Sequence, residues 1–258
     1  MYLDEILANH RSNAERDERD LDQLIEAAQR SPVAREFREK LLADSASHLA
    51  VIAEIKRRSP SKGDLNLDLD PGKLAFVYED NGASCVSVLT DEKFFGGSRS
   101  DLVAARESIG LPVLRKDFTV SLKDVCDARL MGADCVLLIV AALSPSELRS
   151  MHQLAEDLSL DVLVEIHDEP ELEMALDCGA RLIGVNQRDL TTFTVDRVRA
   201  VRMAPLIPAD IVKVAESGVV GEEDARELRA AGYHAVLVGE TLVRSASPGA
   251  SLRNLLVP

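Results

Sequence analysis

The sequence predicts an α/β fold, a (β/α)8 TIM barrel with extra N-terminal helices, and three observations carry that expectation. First, helix-like stretches close on Gly82, Gly132, Gly179 and Gly232, at intervals of about fifty residues, and each glycine opens a short β-rich run: GASCVSVLT, GADCVLLIV, GARLIGVN and GYHAVLVG. Second, four further apolar runs fall between or before these, at 50–56, 111–117, 161–167 and 210–217. Third, Asp70-Pro71 and Ser144-Pro145-Ser146-Glu147 place an N-cap before a proline at the first helical position, the second as a capping box. Eight strands alternating this regularly with helices suit a barrel better than a doubly wound sheet.

Taken in order, residues 1–47 carry apolar side chains at helical spacing, Leu3, Ile6 and Leu7, then Leu21, Leu24 and Ile25, with a break at Ser31-Pro32. Two or three helices are expected there, packed on the barrel as an extension of a single 1–258 domain. Val51, Ile52, Ala53 and Ile55 then read as a buried strand, yet Glu54 and Lys56, two apart, share one face. They form either a private ion pair or part of a site at the C-terminal rim, where the loops after barrel strands build active sites. The loop that follows, with Lys56-Arg57-Arg58 and Lys62, is cationic in an acidic protein.

The other strands end in Thr90 and Asp91, Lys116 and Asp117, Glu165 and His167, Asn186 and Arg188, Glu216 and Ser217, and Gly239 and Glu240; only VLLIVAAL ends apolar. So many buried polar groups at one rim are costly unless they serve chemistry. Ser217-Gly218 and Gly239, after the last two strands, would expose backbone N–H groups where barrels often hold phosphate.

Composition bounds the partners. Hydrophobic residues make up 46% of 258, enough for a large core, and 44 acidic against 30 basic side chains give a net charge of −14. That charge argues against nucleic acid or an anionic membrane. Cys85, Cys126, Cys135 and Cys178 show no C-x-x-C pairing and sit in apolar elements, as reduced core thiols of a cytoplasmic protein do. Met1-Tyr2-Leu3-Asp4-Glu5 lacks the cationic flank of a signal peptide. His10, His48, His152 and His234 have no metal-like spacing and are expected on the surface or in the core; no metal site is expected at His167 either.

AEIKRRSPSKG, PVLRKDF, LVEIH, GVNQRDL and AESGV, in this order and between LDEILA and LVGETLVR, resemble the indole-3-glycerol-phosphate synthase family of tryptophan biosynthesis. The resemblance runs almost end to end. It implies a cytoplasmic, monomeric carboxy-lyase without cofactor, which closes 1-(2-carboxyphenylamino)-1-deoxyribulose 5-phosphate to indole-3-glycerol phosphate with loss of carbon dioxide and water. It further implies Lys116 as general acid and Glu165 as a second acid-base group. Lys56 would hold the substrate's carboxylate or phosphate and assist dehydration, with Glu54, Asn186, Glu216 and Ser217 as the supporting polar shell and Arg188 near the hydroxyls. Phosphate would sit on Gly218, Gly239 and the N–H of Glu240, and the anthranilate ring among Pro60, Phe95, Phe118, Leu137 and Leu190. Burial and a second ammonium would lower the Lys116 pKa and opposing carboxylates would raise it; residue order does not decide between them.

Two features depart from the family pattern. Gln187 stands where the family's NNR run has its second Asn, and the chain stops after the eighth helix, leaving no room for a fused isomerase barrel. Two alternatives fit less well. Phosphoribosylanthranilate isomerase would need a Cys and Asp pair at strand ends, whereas Cys85 and Cys135 come early in their strands. A catalytically dead barrel regulating a partner would lack an acid or base, yet Lys116 and Glu165 are both present.

Overall fold

The eight apolar runs become eight parallel strands that close in chain order, the last pairing with the first. They are β1 Ala50–Ile55, β2 Cys85–Leu89, β3 Val113–Lys116, β4 Cys135–Ile139, β5 Asp161–Ile166, β6 Leu182–Asn186, β7 Val212–Glu216 and β8 Ala235–Val238. This computed structural model describes residues 2–60, 62–189 and 192–258. β1, β2, β4, β6 and β8 are buried at every residue, because helices cover the outer face and side chains fill the inner one. That explains their continuous rather than alternating apolar runs.

The predicted punctuation is in place. Gly82, Gly132, Gly179 and Gly232 have φ of +93°, +86°, +89° and +92°, the left-handed backbone that reverses the chain from helix to strand. The Asp70 carboxylate accepts from Lys73 N, and Ser144 and Glu147 cap each other reciprocally. β1 ends at Ile55, so Lys56 stands one residue beyond the strand, at the root of a loop stiffened by a short ladder pairing Arg58 with Asp64 and Ser59 with Gly63.

The N-terminal segment forms α1 Tyr2–Glu15, α2 Leu21–Gln29 and α3 Phe37–Ser45, each docked differently. α1 crosses the C-terminal rim: Arg11 donates to the Ala142 carbonyl beyond β4 at 2.8 Å and pairs with Glu147 at 2.8 Å. Arg19, between α1 and α2, pairs with Asp127 at 2.7 Å on α4, Leu122–Leu130. α3 covers the opposite end, where Phe37 and Leu41 are fully buried and Arg38 N donates to Asp161 Oδ2 at the start of β5. Cys85, Cys126 and Cys135 are buried free thiols and Cys178 is a half-buried one. Among the described residues no helix is long and apolar enough to cross a membrane.

Candidate active site

Strand ends bring three carboxylates and two ammonium groups into one interior. Lys116, at the end of β3, places Nζ 2.9 Å from Glu165 Oε2 on β5 and 2.9 Å from Glu216 Oε2 at the end of β7. Lys56 Nζ lies 2.6 Å from Glu54 Oε1, so the ion pair considered from sequence does exist, but it opens into the shared cavity. Asn186, ending β6, donates from Nδ2 to Glu165 Oε1 at 3.0 Å. Two glycines make room for this charge. A Cβ on Gly184 would stand 2.1 Å from Glu216 Oε1, and one on Gly239 2.3 Å from Glu54 Oε1.

The electrostatics follow from which group claims which partner. Burial pulls the Lys116 ammonium toward its neutral form, but Glu165, Glu216 and Glu54 outweigh it and raise its pKa well above the ordinary lysine range. Burial lifts Glu165 too, yet Lys116, His167 and the Asn186 bond hold it at about 2. Glu216 meets the same ammonium but is pushed up to about 7, chiefly by burial and also by the nearby Glu165 and Glu54 charges. Its Oε1 has no hydrogen-bond partner. Two carboxylates driven apart in this way are the arrangement by which one site holds both an acid and a base near neutral pH.

Above this floor lies a cavity of 670 Å³. Pro60, Phe95, Phe118 and Leu137, expected around the anthranilate ring, are among its apolar lining; Leu190 lies outside the described residues. Ser217, Gly218, Gly239, Glu240 and Arg188 line the opposite side of the ring of strand ends. Ser217 and Gly218 are both left-handed, φ +66° and +77°, a conformation a non-glycine residue keeps only when its surroundings impose it. Part of that constraint is Gln187, whose Nε2 donates to the Ser217 carbonyl at 2.8 Å. The departure at this position therefore supplies a bond to the turn after β7.

Sequence reasoning missed three basic side chains at the rim. Arg197 and Arg244 line the cavity mouth; Arg244 follows Glu240 by one helical turn, a usable signal, whereas Arg197 sits in a loop with none. His10, expected on the surface or in the core without further role, comes instead from α1 to the rim. Its Nε2 is 2.9 Å from Asp91 Oδ2 and 3.8 Å from Asp117 Oδ1, and its ring centroid is 5.5 Å from Phe118. Burial lowers its pKa, but the Asp91 bond and both aspartate charges raise it above the ordinary histidine range.

Among the described residues His10, Asp91 and Asp117 are the one group whose ligand atoms come close enough to hold a metal, all within 4.8 Å. Their oxygens already have donors. Asp91 accepts from Phe94 N, Phe95 N and His10, and Asp117 from Phe118 N, Thr90 and Arg115. The group is a clamp tying α1 to the two loops that carry Phe95 and Phe118.

Comparisons with known proteins agree with this geometry. The family model described as indole-3-glycerol phosphate synthase matches residues 3–255. A curated protein of that name from Streptomyces griseus subsp. griseus is 49% identical over 256 residues, covering 98% of this chain and 94% of that protein. One from Parafrankia sp. is 48% identical over 246 residues, covering 95% and 91%. Among solved structures, a thiamine phosphate pyrophosphorylase from Pyrococcus furiosus superposes with a TM-score of 0.59 at 16% identity, over 83% of this chain and 95% of that one; the likeness is one of fold. The chain belongs to the indole-3-glycerol phosphate synthase family, and its enzymatic activity is that family's lyase reaction.

Proposed function

We propose that this site closes the indole ring with Lys116 as the acid that protonates the ketone oxygen and Glu165 as the group that serves the later dehydration. The observation that carries the proposal is the Lys116 ammonium shared between Glu165 and Glu216 at the cavity floor, beneath an apolar wall on one side and glycine turns on the other. The anthranilate ring stacks among Pro60, Phe95, Phe118 and Leu137, and the phosphate rests on Gly218, Gly239 and the N–H of Glu240, with Ser217 and Arg188 beside it. Lys56, steered by Glu54, meets the substrate carboxylate.

As the ring carbon bonds to the ketone carbon, the ketone oxygen takes the proton of Lys116, and carbon dioxide leaves with the electron pair returned to the ring. The new hydroxyl then departs as water with a second proton, and the adjacent CH₂ gives one proton back as the indole double bond forms. Glu165, ionised at rest and hydrogen-bonded to Lys116 and Asn186, is placed to exchange protons in both of these later steps. Glu216, near neutrality in its titration, buffers the ammonium from the other side.

The proposal takes residues 1–258 as one catalytic domain with 1–47 built into it, a monomer without cofactor working in the cytoplasm. The net charge of −14 and the absence of paired cysteines support that setting. Incubating purified protein with the anthranilate-ribulose phosphate tests it: indole fluorescence should rise with release of carbon dioxide. Binding without product would show that the cavity holds the substrate and does not convert it.

A further inference from the structure

The assigned reaction consumes protons that the floor of the cavity must recover. Each turnover places one proton on the ketone oxygen and one on the departing hydroxyl and recovers one from the CH₂, so a substrate entering as a carboxylate requires one net proton from solvent.

His167 stands behind Glu165 and does not line the cavity. It follows β5 two residues after Glu165, and its imidazole bridges inward and outward. Nδ1 is 3.0 Å from Glu171 Oε2, on the first turn of α5, Glu169–Asp177, and Nε2 is 3.7 Å from Glu165 Oε1. The Nε2 atom is buried without a hydrogen-bond partner, the one open link in an otherwise bonded row. Glu165 Oε2 continues that row to Lys116 Nζ at 2.9 Å. Links of this length in an unliganded site commonly tighten when substrate binds, and a small turn of the ring closes this one. Glu171 is the partly exposed end, its side chain 18% accessible against 1% for Glu165.

We infer that Glu171, His167 and Glu165 form a proton relay that reprotonates Lys116 from solvent through the barrel wall. This rests on Lys116 and Glu165 having the roles proposed above. Glu171, protonated from solvent, gives a proton to Nδ1 of the neutral imidazole as Nε2–H passes its own to Glu165 Oε1; the Glu165 carboxyl turns to hand that proton to the Lys116 amine, and the Nδ1–H imidazole returns to its Nε2–H tautomer by proton exchange with solvent. No other reactant is needed. His167 acts through Glu165 and does not touch substrate.

The relay separates first turnover from later ones, since Lys116 starts protonated. In His167→Gln, the single-turnover rate of ring closure should match the wild type while steady-state kcat falls about tenfold or more at unchanged KM. His167→Ala should show the same split, with added imidazole restoring kcat. Glu171→Gln, which leaves the strand untouched, should show it more weakly. Equal loss of single-turnover and steady-state rates, without imidazole rescue, would make His167 a mere prop for Glu165 and overturn the relay. Unchanged kcat would mean that protons enter through the mouth, and would overturn it as well. Lys116→Met distinguishes either outcome from failure of the underlying roles: if that variant keeps its first turnover, the acid itself is misassigned.

Discussion

The two ends of the barrel both bury charge, and they bury it in different ways. At the end covered by α3, Asp134 is fully buried, and its oxygens accept from Arg35 N, Val113 N and Arg106 Nη2 at 2.8, 2.9 and 2.9 Å. One carboxylate has several donors to itself, tying a loop, a strand and a helix together. At the catalytic rim one ammonium is claimed by two carboxylates with a third nearby, one carboxylate oxygen is unpaired, and two glycines are needed to admit the crowd. A buried charge therefore marks structure when its partners are in surplus, and chemistry when they are contested.

The largest expected effect breaks the contested end. Lys116→Met should lower kcat by about 10²- to 10⁴-fold, the usual cost of losing a proton donor, while substrate affinity changes little because ring wall and phosphate turn remain. Steady-state kinetics with a direct binding measurement check both halves. Asp134→Asn breaks the opposite end instead: it sets an amide against an N–H and strands Arg106, costing about 3 kcal/mol of stability with kcat and KM unchanged. Denaturant unfolding and activity assays read the two.

A subtler contrast comes from pH. Glu216, raised to about 7, contributes stability that is complete below the ordinary glutamate range and lost as pH rises through about 7. Glu165, held at about 2, contributes with the opposite sign: its share is present above the ordinary range and lost as pH falls toward 2. His10 and His167, both raised, also lose their contributions on the alkaline side. Melting temperature should therefore decline between about pH 6 and pH 8, and Glu216→Gln should flatten that decline without abolishing it. The smallest effect is at the clamp. His10→Ala removes a hydrogen bond worth about 1 kcal/mol, and should raise KM a few-fold through looser seating of Phe95 and Phe118, with kcat nearly constant.

How much of this was legible in the residues depended on range. The glycines at 82, 132, 179 and 232 act on their own backbone, and Ser144 and Glu147 cap within one turn, so strand count, order and helix starts could all be read. The strand-end residues were legible because each follows its own apolar run. The direction of the Lys116 titration was not, since it is set by carboxylates from β1, β5 and β7, more than 40 residues away. His10 was missed for the same reason: its partners lie 81 and 107 positions along the chain, in loops that only barrel closure brings under α1. Gln187 read as a departure until the turn at Ser217 gave its amide a partner.

The central claim, that Lys116 supplies the first proton and Glu165 serves a later step, meets its most direct test in rapid-quench single turnovers of three proteins. Wild type should yield indole-3-glycerol phosphate, and Glu165→Gln should accumulate a condensed, decarboxylated intermediate that still bears its hydroxyl. Lys116→Met should return only unreacted substrate. Product formed by Lys116→Met at near the wild-type rate would contradict the account and pass the role of acid to Lys56, which lines the same cavity and pairs with Glu54.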